Sequence, residues 1–385
     1  MSHRHSIFCI LPPHMLNEIA QRGTPEQRDL ALRTIATSGH IRAQRVIWQA
    51  AVAASMTAVP VGHKQREVYD AKNGSSLPGV LVRGENEAPS SDVSVNEAFD
   101  GAGATFDLYY SVYGRNSVDN RGLKLVSSVH YQTNYDNAFW NGDQMVYGDG
   151  DEGLPPAQRL FNRFTISLEV IGHEHTHGVT QYEANLNYAD QPGALNESIS
   201  DVFGSLVKQY QLQQTADQAD WIIGQGLLTA NVHGIGLRSM KAPGTAYNDP
   251  ILGKDPQPDS MSGYVNTTQD SGGVHINSGI PNRAFYATAI EIGGFAWQKA
   301  GLIWYKTLTD KLTATSNFQD AANLTFQAAG EIYGAGSPEQ NAVAKGWQTV
   351  GITVNASGGM PKPTPQPLPG PGCMTAVLRM FGLAR

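Results

Sequence analysis

His173-Glu174-His175-Thr176-His177 is the stretch around which the rest of this chain can be read. It lies within residues 166–179, where Leu168, Ile171 and Val179 recur at helical spacing and no proline intervenes. Residues four apart on a helix share a face, so His173 and His177 can offer two imidazole nitrogens to one cation. Glu174 sits one step round, too close in sequence to be an easy third ligand but well placed beside a water on that cation. His175, two positions from each ligand, points elsewhere and is read as incidental. H-E-x-x-H on a helix is a zinc-site pattern, but two helical histidines also occur as plain surface residues, so the motif needs support from elsewhere.

That support lies downstream. A zinc ion that does chemistry takes three protein ligands and keeps one position open. Gly193–Asp201 supplies Glu197 near the start of a second helical pattern (Ile199, Val202, Phe203, Leu206), and Asp201 follows one turn later on the same face. Asp201 can accept the second ring N–H of a metal-bound histidine and fix its tautomer. Alone, Asp201 would be a solvated helix carboxylate; beside Glu197 it reads as part of the site.

Three motifs now stand in order: His173–His177, then Asn196-Glu197-Ser198-Ile199-Ser200-Asp201, then Asp270-Ser271-Gly272-Gly273-Val274-His275-Ile276-Asn277. Together they resemble the thermolysin-type neutral zinc metallopeptidases, and the resemblance runs from about Glu67 to Gly351. The leader Cys9-Ile10-Leu11-Pro12-Pro13-His14-Met15-Leu16 is similar to that of the protealysin-like branch, whose propeptide is short.

The resemblance implies an α+β fold, with a β-rich N-terminal lobe, a mainly helical C-terminal lobe and the zinc helix at the cleft between them. The implied units are a propeptide (1–55), the N-terminal lobe (56–185), the helical lobe (186–355) and a proline-rich tail (356–385). It implies an autoprocessed precursor of an endopeptidase that cuts on the amino side of large hydrophobic residues. His173, His177 and Glu197 would hold Zn²⁺, Glu174 would be the general base, and Tyr188 and His275 would stabilise the carbonyl oxygen. Asp201 would hold His173 and Asp270 would hold His275. Asn137 and Ala138 would bind an extended peptide by strand addition. Arg238 has a guanidinium suited to the carbonyl after the cut. Val170, Ile223, Leu227 and Leu237 would line an apolar pocket for the residue after the cut.

Calcium marks a departure from the better-known relatives. Glu169 and Asp220 fall at two positions of their double calcium site, but Lys208 and Gln225 fall at two others, and Ile235 replaces an aspartate of another site. Loss of the double site is the expectation. Two rival functions remain at this stage: a zinc aminopeptidase, which the Asn137–Trp140 rail and Arg238 argue against, and a non-catalytic module, which the presence of Glu174, Tyr188 and His275 argues against.

Composition bounds the rest. The chain has 385 residues and a formal charge of −7, and no basic stripe offers a nucleic-acid surface. Peptides or proteins are the expected partners, and the chain is expected to be a monomer. The two cysteines, Cys9 and Cys373, fall in the leader and the tail, so no disulfide framework exists. Cys9 reads as a small buried apolar residue rather than a zinc-capping thiolate. No run is long enough to span a membrane. Residues 7–11 are too short for a signal-peptide core and Pro12-Pro13 interrupts them, so no secretory signal is read and the compartment stays open: cytoplasmic, or secreted without a recognisable signal.

In chain order, Thr24-Pro25-Glu26 opens a leader helix with Leu30, Leu32, Ile35 and Ile41 as its apolar face. Residues 51–63 suit a linker. Strands are expected at 67–71, 79–83, 124–131 and 144–148, with a helix at 93–114. A loop at 182–191 carries Tyr188. Helices follow at 198–211, 283–291, 296–312, 318–330 and 338–350, and His275 is expected on a tight loop. Pro361–Pro371 should be extended, and Met374, Val377, Leu378 and Phe381 form a short amphipathic piece.

Overall fold

The computed structural model describes residues 8–52 and 62–355. The expectations for Ile41, for most of the 51–63 linker and for the tail lie outside the described residues or side chains. Six strands form one sheet in the order β1-β5-β6-β4-β2-β3. They are β1 (Phe8–Cys9), β2 (Arg66–Asp70), β3 (Val80–Gly84), β4 (Leu125–Val129), β5 (Ala138–Trp140) and β6 (Met145–Tyr147). β4 pairs in parallel with both β2 and β6, while β5 runs antiparallel to β6. The outermost strand beyond β5 is β1, so the leader itself extends the sheet of the body.

Two leader helices follow β1: α1 (Pro13–Arg22) and α2 (Pro25–Val52). Thr24 and Gln27 cap α2 reciprocally, each side chain accepting the other's backbone N–H. The inward face of α2 is Gln27, Leu30, Ala31, Thr34 and Ser38, a helical repeat of three and four. Leu32, the residue directly after Ala31, turns away from that stripe and is 57% exposed, which corrects its assignment to the apolar face.

Across the sheet lies α3 (Val93–Tyr113), capped by the Asp92 carboxylate at its start and ended by left-handed Gly114. Next come α4 (Leu168–Tyr182) and α5 (Asp190–Leu212). α5 begins eight residues earlier than expected. Pro192 falls in its first turn, where a missing N–H costs nothing, so Pro192-Gly193 does not hold the helix off. Glu197 therefore sits two turns inside α5, on rigid backbone. α4 and α5 touch through glycines: a Cβ on Gly204 would meet the Glu169 carbonyl at 2.4 Å, so no larger residue lets the helices approach this closely.

A short two-stranded pair follows, β7 (Ile222–Ile223) with β8 (Arg238–Ser239). The helical lobe is completed by α6 (Asp270–Asn277), α7 (Gly279–Ile292), α8 (Ala300–Asp310), α9 (Phe318–Tyr333) and α10 (Pro338–Thr349). Its core includes Phe285, Trp304, Phe318 and Trp347, all buried. The molecule thus has a sheet-bearing N-terminal region and a helical C-terminal region, with α4 between them.

Candidate active site

The close approach of α4 and α5 brings three donors to one point. His173 Nε2 and His177 Nε2 are 2.9 Å apart. Carboxylate oxygens of Glu197 lie 3.6 Å from the first and 3.5 Å from the second. Bonds of about 2.0–2.1 Å to a tetrahedral ion put its ligand atoms roughly 3.3 Å apart, so these separations fit zinc. The other ring nitrogens are committed elsewhere: His173 Nδ1 donates to Asp201 at 2.8 Å, and His177 Nδ1 lies 2.8 Å from Asn196 Oδ1 and 2.9 Å from Ser200 Oγ. Both Nε2 lone pairs are thereby turned toward the same buried point, an arrangement that makes sense only around a cation. All three side chains are fully buried. They form a zinc-binding cluster, and among the described residues no other group of His, Cys, Asp and Glu converges in this way.

Asp201 is the hub beneath it. One oxygen accepts from His173 and from Arg238 Nη2 (2.7 Å); the other accepts from Arg238 Nε (2.8 Å) and from Asn282 Nδ2 (2.8 Å). Burial alone would raise its pKa, but the Arg238 guanidinium and His173 hold it well below the usual carboxylate range. The supporting residues Asn196, Ser200 and Asn282 were not singled out from sequence. Asn196 and Ser200 repeat the i, i+4 spacing of Glu197 and Asp201 one position earlier, which was the available signal.

Glu174 Oε2 accepts the backbone N–H of Trp140 at 2.9 Å, tying the zinc helix to β5. His175 donates from Nδ1 to the Ile171 carbonyl at 2.8 Å, and burial lowers its pKa to about 4. It stays neutral and apart from the cluster, as expected.

His275 lies on α6 rather than on a loop. Asp270, Ser271, Gly272 and Gly273 all have positive φ, and regular helix resumes only after them. Asp270 accepts the His275 backbone N–H (2.8 Å) and its Nδ1–H (2.6 Å). Burial opposes charge on this ring, but the Asp270 and Glu197 carboxylates outweigh it, and the pKa is pushed up to about 9. Tyr188 lies 3.2 Å from His275 Nε2 and donates its hydroxyl to Glu197.

The cleft is filled by the leader. Ile10 N–H donates to the Ala138 carbonyl (3.2 Å), and Leu11 N–H to Asn137 Oδ1 (3.0 Å). Arg238 Nη1 donates to the Ile10 carbonyl (3.1 Å), and His275 Nε2 to the Cys9 carbonyl (3.0 Å). Ile10 is buried in the same apolar core as Val170, Ile223, Leu227 and Leu237. The Cys9 side chain packs with Tyr131, Tyr135, Phe139 and Val146, with Ser38 Oγ 4.0 Å from its sulfur, and is not part of the zinc cluster.

One turn before His173 on α4 is a second charged group. Lys208 Nζ lies 2.8 Å from Asp220, 2.6 Å from Gln225 Oε1 and 3.5 Å from Glu169. Glu169 is buried and also accepts the Gln225 backbone N–H at 2.8 Å.

Two histidines and a carboxylate converging beside a strand that holds an extended segment belong to metallopeptidase chemistry. Comparison with known sequences narrows the class. Residues 54–181 match the family described as "Thermolysin metallopeptidase, catalytic domain", and residues 184–352 match "Thermolysin metallopeptidase, alpha-helical domain". The chain belongs to the thermolysin family of zinc metallopeptidases, in its protealysin-like, short-leader form. An "Extracellular metalloprotease" of Pectobacterium carotovorum subsp. carotovorum is 48% identical over 90% of this chain and 97% of its own length. "Protease PrtS" of Photorhabdus sp. (strain Az29) is 44% identical over 90% and 92%. The solved "Precursor of Protealysin, Metalloproteinase from Serratia proteamaculans" superposes with a TM-score of 0.81 at 49% identity, covering 90% of this chain and all of that one.

Proposed function

We propose that the chain is the precursor of an endopeptidase that cuts before large hydrophobic residues, removes its own leader, and acts outside the cell as a monomer. The observation that carries the specificity is the leader itself. Its four hydrogen bonds to Ala138, Asn137, Arg238 and His275 support a reading in which Ile10 mimics the residue after the cut. An apolar pocket discriminates weakly between neighbouring aliphatics, so Leu, Ile and Phe should all be accepted there.

Bound by His173, His177 and Glu197, zinc supplies Lewis acidity to the substrate carbonyl and acidifies a water. Glu174 takes the proton of the attacking water and passes it to the leaving nitrogen. His275 Nε2, which already donates to the Cys9 carbonyl, and the Tyr188 hydroxyl stabilise the negative charge that grows on the carbonyl oxygen. Asp270 holds His275 in the donating orientation, and Asp201 does the same for His173. Arg238, fixed by both Asp201 oxygens, and Asn137 hold the peptide beyond the cut.

Export is supported by the name of the Pectobacterium relative. Self-removal is expected to cut within residues 44–63, a stretch whose first part, 44–52, belongs to the end of α2. Intact mass of the purified Glu174→Ala chain tests this: it should stay full length while the parent is trimmed. Trimming of the inactive form in pure solution would overturn self-processing. Blocked peptides separate the endopeptidase from an aminopeptidase: internal cuts before Leu, Ile or Phe, lost on chelation of zinc, are expected, and no cut at all would refute the reading.

A further inference from the structure

His14 is a leader residue that peptide hydrolysis does not use, and it meets the body with a neutral ring. It lies in the first turn of α1, where the N-terminal end of a helix disfavours a cation. The residue is only partly buried, but both ring nitrogens face inward. Nε2 is 3.1 Å from the Tyr247 hydroxyl, and Nδ1 is sealed from solvent with no hydrogen-bond partner among the described residues. A protonated imidazole has two N–H donors and needs acceptors on both sides.

Among the described residues no charged group hydrogen-bonds either ring nitrogen. On the body side, His14 feels Arg238, His275 and Asp270. Arg238 is a cation, and both Asp270 oxygens already serve His275. Behind Tyr247, Asp255 is occupied by the backbone N–H groups of Gly244, Ala246 and Gln257. On α1 itself, Glu18 is one turn further on and paired with Arg22 at 2.7 Å.

We infer that the surface of Tyr247, Arg238 and the His275–Asp270 pair is a docking site for the leader that accepts a neutral but not a cationic side chain at position 14, so that acidification loosens the leader from the cleft. This rests on the reading of the leader as a cleft-filling segment. It adds the condition under which that segment lets go.

Burial is the main cause that lowers the His14 pKa, to about 4; Asp270 opposes it, and His275 and Arg238 add to it. An undocked leader would carry an ordinary histidine near 6.5. Docking therefore favours the neutral ring, weakens as pH falls below about 6.5, and levels off below about 4. The ratio of the two titrations gives a weakening of about thirtyfold by pH 5.

The test uses the full-length, zinc-loaded Glu174→Gln chain, which cannot digest its leader. Hydrogen exchange of the Ile10, Leu11 and α1 amides is measured from pH 7.5 to 5, corrected for intrinsic rates and referred to α9. Leader protection should fall about thirtyfold more than that of α9, and His14→Gln and His14→Phe should each remove the fall. Unchanged protection in the parent, or the same fall in both variants, would overturn the proposal. So would a leader already undocked at pH 7.5 in both, since the site would then not accept a neutral substitute. Peptide hydrolysis is not read, so failure of the endopeptidase assignment would leave this result interpretable.

Discussion

Helices α4 and α5 build two polar clusters one helical turn apart, and the two differ by a single kind of group. At His173, His177 and Glu197 the supporting hydrogen bonds turn lone pairs toward a common point, and the neighbouring cationic ring, His275 at 3.6 Å from Glu197, spends its Nε2–H on the Cys9 carbonyl instead. At Glu169, Asp220 and Gln225 the chain supplies its own cation, the Lys208 ammonium, within 3.5 Å of all three. The first cluster is complete only with an ion. The second is complete without one. A buried carboxylate therefore does not by itself announce a metal; what decides is whether a protein cation already sits among the oxygens.

The largest effect should come from the first cluster's chemistry. Glu174→Ala removes the proton acceptor but none of the zinc donors, so kcat/KM should fall at least about a thousandfold, roughly 4 kcal/mol in the barrier. Metal analysis should still find one zinc per chain. Activity within about tenfold of the parent would break the assigned role. Stripping zinc is the next largest. Because an ion that binds only the folded site adds its binding energy to stability, melting should fall on the order of 10 °C on chelation and recover on adding zinc. A melt indifferent to zinc would mean that the first cluster, like the second, is self-sufficient.

The second cluster responds to pH when its cation is removed. Burial raises the Glu169 pKa and Lys208 pulls it back down, the net shift being upward. Lys208→Met takes away the opposing pull. A carboxyl whose folded pKa lies above its unfolded value contributes stability that is present at low pH and lost as pH rises. The variant should thus be close to the parent at pH 4 and less stable by about 1–3 kcal/mol at pH 8, read by urea unfolding. A loss of equal size at both pH values would point to lost packing of the lysine stem instead.

Much of this was legible in the sequence because it is local. His173 and His177 at i, i+4, and Glu197 and Asp201 likewise, put their groups on one face whatever the tertiary fold. Strands β2, β3, β4 and β6 and most helices were readable from alternation and helical spacing, whereas the two-residue strands β1, β7 and β8 are too short to carry a pattern. α5 was read eight residues short, because Pro192-Gly193 looks like a break unless its place in a first turn is known. Leu32 misled because α2 turns a small and polar stripe inward, with Gln27, Thr34 and Ser38 taking places that hydrophobicity would not assign. His275 was placed on a loop because nothing in Gly272-Gly273 says that helix resumes directly after the left-handed run. What the sequence could not carry is which long-range partners meet. That Ile10 would lie against Ala138 and Arg238, and His14 against Tyr247, joins residues over a hundred positions apart.

The smallest expected effect tests the second cluster most directly. If the ammonium of Lys208 stands where relatives of the better-known kind hold calcium, added calcium finds at most one of the two carboxylate charges of Glu169 and Asp220 left to neutralise. Coulomb repulsion from Lys208 would oppose a divalent ion placed between Glu169 and Asp220. Melting of the zinc-loaded parent in millimolar calcium and in a calcium-selective chelator should then differ by only a few degrees. Lys208→Glu gives the contrast: three carboxylates and the Gln225 amide then face one another with no cation. That variant should be less stable than the parent in chelator, by repulsion, and should regain stability on adding calcium. A large calcium-dependent rise in the parent, abolished by Glu169→Gln, would show that the lysine yields its place to the ion and that the two clusters are alike after all. A calcium response absent from both proteins would instead mean that the loop carrying Asp220 and Gln225 does not follow the charge at position 208, and that the ammonium is a consequence of the local fold rather than its substitute for an ion.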